Sequence, residues 1–264
     1  MKHCGKVLLV LMFVMGICLV SSSPSFAELV AYWNFDEGSG SVVHDSSGYG
    51  NNGSLSGSGT TWPPGVSGSA LEFDGNGWVT VPHSSTLNPP TALTLDLWVY
   101  PHSYPPEYVN EPQWNGYVRT VGLITKWGWN DSYVLAFTYL GQIGLTVTGG
   151  PVGQGPYSGV ISNATLPLNA WSHITATWSK GSTINIFLNG ILDNTASAGN
   201  FDMYPGTHDL WIGQDQWGPM ADVRFDGIID EVKIYNNAVP EPTTMLLLGF
   251  GLLGTAGARR KMHK

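Results

Sequence analysis

The chain has 264 residues, with 34 glycines, 11 tryptophans, only 11% charged residues and a formal charge of −8. That length suits one large all-β domain or two small ones, and abundant turn residues between short apolar runs point to a sandwich or barrel. The basic residues crowd at the two ends, so the centre offers no cationic stripe; this excludes a nucleic-acid partner.

The first segment reads as an export signal. Lys2 and Lys6 precede an uncharged apolar run from Val7 to Val20, and Ser21-Ser22-Ser23-Pro24-Ser25-Phe26-Ala27 supplies a small-residue cleavage site. Residues 1–27 are therefore expected to be a signal peptide, removed after Ala27. Both cysteines, Cys4 and Cys18, go with it, which leaves a domain without a disulfide, thiolate nucleophile or Cys-bound metal.

From residue 28 to 238 the pattern is short alternating strands. Leu71 and Phe73 share one phase, Asp74-Gly75-Asn76-Gly77 supplies turn residues, and Val79 and Val81 resume, which predicts a hairpin. Leu93, Leu95, Leu97 and Val99 alternate with Thr94, Asp96, Trp98 and Tyr100. Residues 101–119 form a Pro- and aromatic-rich insertion of the kind that carries function. Ile174, Ala176 and Trp178 form a strand; Ile184, Ile186 and Leu188 form the next, closed by Asn189-Gly190. Each run has period two and buries one face, and no long helical stripe interrupts them. Two antiparallel sheets packed face to face are the simplest solution.

The end of the chain departs from this pattern. Pro240-Glu241-Pro242 breaks the backbone, residues 243–258 are largely apolar, and Arg259, Arg260 and Lys261 follow, a basic end that would stay in the cytoplasm. These features resemble the PEP-CTERM sorting signal of Gram-negative, exopolysaccharide-producing bacteria. The resemblance implies that 239–264 is a sorting segment with a hydrophobic transmembrane helix, recognised by an exosortase-type membrane protease. It also implies export to the cell envelope, cell surface or extracellular matrix after transient anchoring in the inner membrane.

Five blocks in order, LVAYWNFDEGSGSVVHDSSGYGNNGSL, ALEFDGNGWVTVP, TLDLWVYP, WSHITATWSKGSTINIFLNG and FDGIIDEVKIYNNAV, resemble the laminin-G-like, concanavalin A-like lectin/glucanase superfamily. The resemblance implies a jelly-roll sandwich of two antiparallel sheets with one concave outer face. The insertion at 101–119 departs from the compact module.

Three kinds of candidate chemistry stand out. Asp230 shares the phase of Ile228, Val232 and Ile234, and a buried charge needs a partner or a metal. With Asp36 and Asp45 it could supply oxygen ligands to a hard cation, and many superfamily members hold one structural Ca²⁺ between the first and last strands. The competing expectation is that Asp230 caps turn amides and Asp45 makes an Asx-turn. Second, the Glu-x-Asp-x-x-Glu strand of the sandwich glucanases is missing, and no catalytic residue is assigned. Third, Trp62, Trp114, Trp127, Trp129 and Trp217 lie in loops or beside Gly and Asn, where they could stack on sugar rings or simply pack. Trp127-Gly128-Trp129-Asn130-Asp131 is the favoured patch. The leading expectation is a non-catalytic cell-surface module recognising an extracellular glycan or envelope protein. The alternatives are a glycosidase or lyase with atypical residues and a structural matrix component.

Overall fold

A computed structural model describes residues 27–106, 120–126, 132–151, 154–214 and 224–238. The expected signal peptide up to residue 26, the sorting segment and most of the 101–119 insertion fall outside these residues. No helix among the described residues is long and apolar enough to cross a membrane.

In chain order the strands are β1 (Leu29–Trp33), β2 (Val42–Val43), β3 (Gly53–Gly57), β4 (Thr60–Thr61), β5 (Leu71–Asp74), β6 (Gly77–Val81), β7 (Ala92–Pro101) and β8 (Thr120–Lys126). There follow β9 (Tyr133–Thr138), β10 (Ile143–Thr148), β11 (Tyr157–Ile161), β12 (Ser172–Ser179), β13 (Thr183–Leu188), β14 (Ile191–Ser197), β15 (Leu210–Ile212) and β16 (Asp226–Tyr235). One sheet runs β14-β13-β12-β7-β16-β5-β4, with β1 also on β16. The other runs β11-β10-β9-β8-β15-β6-β3-β2. Every pairing is antiparallel. The fold is the concanavalin A-like jelly roll.

Alternation builds the core directly. Leu93, Leu95, Leu97 and Val99 of β7 and Ile174, Ala176 and Trp178 of β12 are all buried, and they meet Leu135, Phe137, Leu145 and Val147 of the facing sheet in one apolar cluster. The turn Asn189-Gly190 has φ of 51° and 79°, the pair of positive values a two-residue type I′ turn requires, and it joins β13 to β14.

Two expectations are corrected. β5 and β6 do not form a hairpin: β5 pairs with β16 and β6 with β15 and β3, so the 74–77 turn carries the chain from one sheet to the other. Both strands still point Leu71, Phe73, Val79 and Val81 inward, and alternation alone cannot distinguish an arch from a hairpin. Second, two bulges break the phase. After the shift at Ile186/Phe187, Phe187 is buried and Leu188 turns half outward. In β16 the shift lies between Asp230 and Lys233, with Glu231 at φ 54°; Ile229 is buried, whereas Ile228 is half-exposed.

Candidate functional site

The bulge in β16 explains where Asp230 goes. One edge of β16 pairs first with β5, up to Ile229↔Leu71, and then with β1, from Val232↔Trp33. Asp230 fills the step between them and is fully buried. Its Oδ2 accepts from the Val66 and Ser67 amides at 2.7 and 3.2 Å, and its Oδ1 from the Glu231 amide at 2.8 Å. Burial raises its pKa against the opposing pull of those amides. Asp36 holds the same 65–69 loop from the other side, accepting from the Ser69 amide at 3.0 Å and from Asn34 Nδ2 at 2.9 Å. The loop's glycines make room for both: a Cβ on Gly65 would lie 2.4 Å from Asp230 Oδ2, and one on Gly68 1.8 Å from Asp36 Oδ1.

Asp45 organises a different loop. Its Oδ1 accepts from the Tyr32 and Ser47 amides at 2.9 and 2.8 Å, and its Oδ2 from Ser47 Oγ and the Asn51 amide at 2.8 and 2.9 Å. All three carboxylates thus serve as acceptors for loop backbone. Among the described residues no group of three or more His, Cys, Asp or Glu is placed to hold a metal. The contacts of these carboxylates are those of the amide-capping arrangement expected as the alternative to a metal.

Of the aromatic candidates, Trp62 is half-buried against the core. Trp114, Trp127, Trp129 and Trp217 lie outside the described residues, as do Pro240, Glu241, Pro242, Arg259 and Arg260.

The outer face of the β7 sheet gathers a cluster of ionisable groups. Tyr32 Oη donates to both oxygens of Glu231 at 2.8 and 2.9 Å, and Lys233 Nζ donates to Glu231 Oε2 at 2.6 Å. One strand over, Asp96 Oδ2 accepts from Thr175 Oγ1 at 2.6 Å and lies 3.0 Å from His173 Nε2. The His173 ring stacks on Trp98, centroids 4.8 Å apart. Burial, then the charges of Asp96 and Glu231, push the Tyr235 hydroxyl up to about 12. These groups satisfy one another.

The outer face of the β8 sheet is different in kind. The cross-strand row Ser54↔Thr80↔Trp211↔Thr125 spans β3, β6, β15 and β8. Trp78 is one outward position along β6, and its ring centroid lies 6.4 Å from that of Trp211, tilted by 54°. Both tryptophans are half-exposed. Trp78 Nε1 donates to Thr80 Oγ1 at 3.0 Å, which also contacts Ser56 Oγ at 3.0 Å and so fixes the ring. Arg224 lies over the Trp78 ring, Cζ 4.6 Å from its centroid, and its Nε donates to Gln214 Oε1 at 3.0 Å. Gln214 and Arg224 are bridged in antiparallel fashion at the base of the 215–223 segment that contains Trp217. Gly122 lets Gln214 settle on β8, since a Cβ there would come within 2.4 Å of the Gln214 carbonyl oxygen. Thr125, 1% exposed, has no hydrogen-bond partner for its hydroxyl among the described residues.

Trp78, Trp211 and Arg224 are not among the sequence candidates. The phase signal for the two rings is present, because Trp78 and Thr80 alternate with the core residues Val79 and Val81, and Trp211 lies between buried Leu210 and Ile212. Their juxtaposition depends on the β6–β15 pairing, which no local pattern announces.

The family model of the concanavalin A-like lectin/glucanases superfamily matches residues 73–243, and the chain belongs to that superfamily. The PEP-CTERM protein-sorting motif matches residues 238–261, a signal of export and membrane-associated sorting in Gram-negative bacteria. Among solved structures, domain 4 of AbnA, a GH43 extracellular arabinanase from Geobacillus stearothermophilus solved in complex with arabinotriose, is similar at 19% identity and TM-score 0.60, covering 81% of this chain and 95% of that one. The binding domain of Paraclostridial Mosquitocidal Protein 1 is similar at 15% identity and TM-score 0.63, covering 83% of this chain and 51% of that one. The botulinum neurotoxin serotype G binding domain is similar at 18% identity and TM-score 0.57, covering 80% and 48%. The chain thus spans about half of each toxin domain. At these identities the likeness concerns the fold. No curated protein matches the sequence.

Proposed function

We propose that this protein is an exported, non-catalytic recognition module that binds an extracellular saccharide on the outer face of the β8 sheet. The observation that carries this reading is the pair of half-exposed tryptophans, Trp78 and Trp211, on a face that also holds Arg224 bonded to Gln214. Sugar rings present an apolar face to aromatic rings and hydroxyls to polar edges, and this surface offers both. The arabinotriose bound to domain 4 of AbnA supports saccharide recognition by this architecture. The sorting signal supports an exosortase-type protease as processing partner and the cell surface or extracellular matrix as destination.

Full-length protein in mild detergent, titrated against a panel of bacterial and plant oligosaccharides, tests the proposal. Binding is expected, and Trp211→Ala is expected to weaken it about tenfold or more without lowering the melting temperature. Silence across the panel, or binding indifferent to Trp211 and Trp78, defeats the proposal. Release of reducing ends or unsaturated products from the same panel would favour the alternative, a glycosidase or lyase. On the β7 sheet, however, Glu231 and Asp96 are already occupied by Tyr32, Lys233, Thr175 and His173.

A further inference from the structure

Cations are scarce in the central domain, and nearly all the described ones are committed. Lys180 pairs with Asp202 at 2.8 Å, and Lys233 with Glu231 at 2.6 Å. Lys126 is fully buried and donates to the His208 carbonyl at 2.6 Å. Arg224 is the exception: no carboxylate among the described residues pairs with it, although the chain carries 19 acidic residues against 11 basic ones. It is half-exposed and lies over the Trp78 ring, which in turn neighbours Trp211.

Two contacts position it: Cζ lies 4.6 Å from the Trp78 ring centroid, and Nε donates to Gln214 Oε1 at 3.0 Å. A guanidinium has five N–H donors in a rigid fork, and among the described residues only the Nε donor is spent, on Gln214. The remaining donors suit a planar, bidentate oxyanion.

We infer that the saccharide bound on this face is anionic, a uronate-bearing oligosaccharide whose ring packs on Trp211 while its carboxylate engages the free fork of Arg224. The inference rests on the reading of this face as a saccharide site and adds the charge class of the ligand. The chain's net charge of −8 repels anions only over distances that physiological salt screens, so attraction by Arg224 is local.

Calorimetric titration of the full-length chain in mild detergent separates the two claims. The probes are di- to hexasaccharides of galacturonate, glucuronate and mannuronate, each beside its fully methyl-esterified form, which keeps the ring and loses the charge. At least one acid is expected to bind about tenfold or more tightly than its ester. Arg224→Gln is expected to erase that difference with an unchanged melting temperature, and Arg224→Lys to restore only part of it. Equal affinity for acid and ester, or discrimination that survives Arg224→Gln, overturns the inference. If neutral oligosaccharides bind through Trp211 and the uronates do not, the charge assignment falls while the saccharide site stands. If neither class binds, both fall.

Discussion

Lys126 should make the protein more stable as the solution turns mildly alkaline. It ends β8 opposite Tyr133, in the inward phase, and its side chain is fully buried. Nζ donates to the His208 carbonyl at 2.6 Å and lies 3.0 Å from His83 Nδ1. Burial lowers its pKa from 10.5 to about 8, against a smaller opposing pull from Asp209. The folded state therefore holds this proton less tightly than the unfolded chain does. The resulting penalty is complete below pH 8 and is relieved as the pH climbs towards 10.5. At about 1.36 kcal/mol per pH unit, the full penalty is on the order of 3 kcal/mol, and roughly 2 kcal/mol of it is relieved between pH 7.5 and 9.5. The buried tyrosines work in the opposite sense: Tyr32, Tyr133 and Tyr235 all have raised pKa values and weaken the fold once the unfolded phenols ionise near 10. Urea unfolding at pH 7.5 and 9.5, for wild type and Lys126→Met, cancels those shared titrations. Wild type should gain about 2 kcal/mol relative to the variant across that window. Parallel pH profiles would show that the ammonium stays hydrated and would refute the reasoning.

Asp230→Ala removes the acceptor of the Val66 and Ser67 amides in the exposed 65–69 loop and of the Glu231 amide in the bulge; the loop amides can turn to water, so a loss of about 1–3 kcal/mol in all is expected, and one under about 0.5 kcal/mol contradicts the assignment. Gly68→Ala should be more damaging than Gly38→Ala. Both glycines have positive φ, 65° at Gly38 and 61° at Gly68, but only at Gly68 does a Cβ meet Asp36, so the difference in melting temperature isolates that contact. Excess chelator should leave the melting temperature unchanged, because Asp36, Asp45 and Asp230 already accept from loop donors; a fall of several degrees would restore the calcium site.

The layered architecture is readable because it depends on period two, and β7 and β12 keep that period in their sequences. The errors came where the backbone breaks the period. Nothing in Ile228-Ile229-Asp230-Glu231 announces a bulge, because the bulge arises where β16 exchanges β5 for β1, a consequence of pairing between strands far apart in sequence. The Asp74–Gly77 turn misled for a related reason: it has hairpin composition, but a more distant partner, β16, takes β5. Asp230 is buried, as its phase with Val232 and Ile234 suggests, but which amides it caps is not legible in the sequence. Loop tryptophans drew the search for a ligand site, whereas the described site candidates are strand tryptophans brought side by side by β6 and β15.

The two outer faces share a scaffold but differ in what folding has left undone. On the β7 sheet, Tyr32, Glu231, Lys233, Asp96, Thr175 and His173 close their hydrogen bonds on one another. A ligand arriving there must break bonds before it makes any, so its net gain is small. On the β8 sheet, no carboxylate among the described residues pairs with the Arg224 fork. A ligand that supplies an acceptor there gains bonds without displacing described ones, and Trp78 and Trp211 add apolar area already held in place. Unmet polar capacity beside fixed aromatic surface, rather than the number of ionisable groups, is what sets the face proposed for recognition apart from the other.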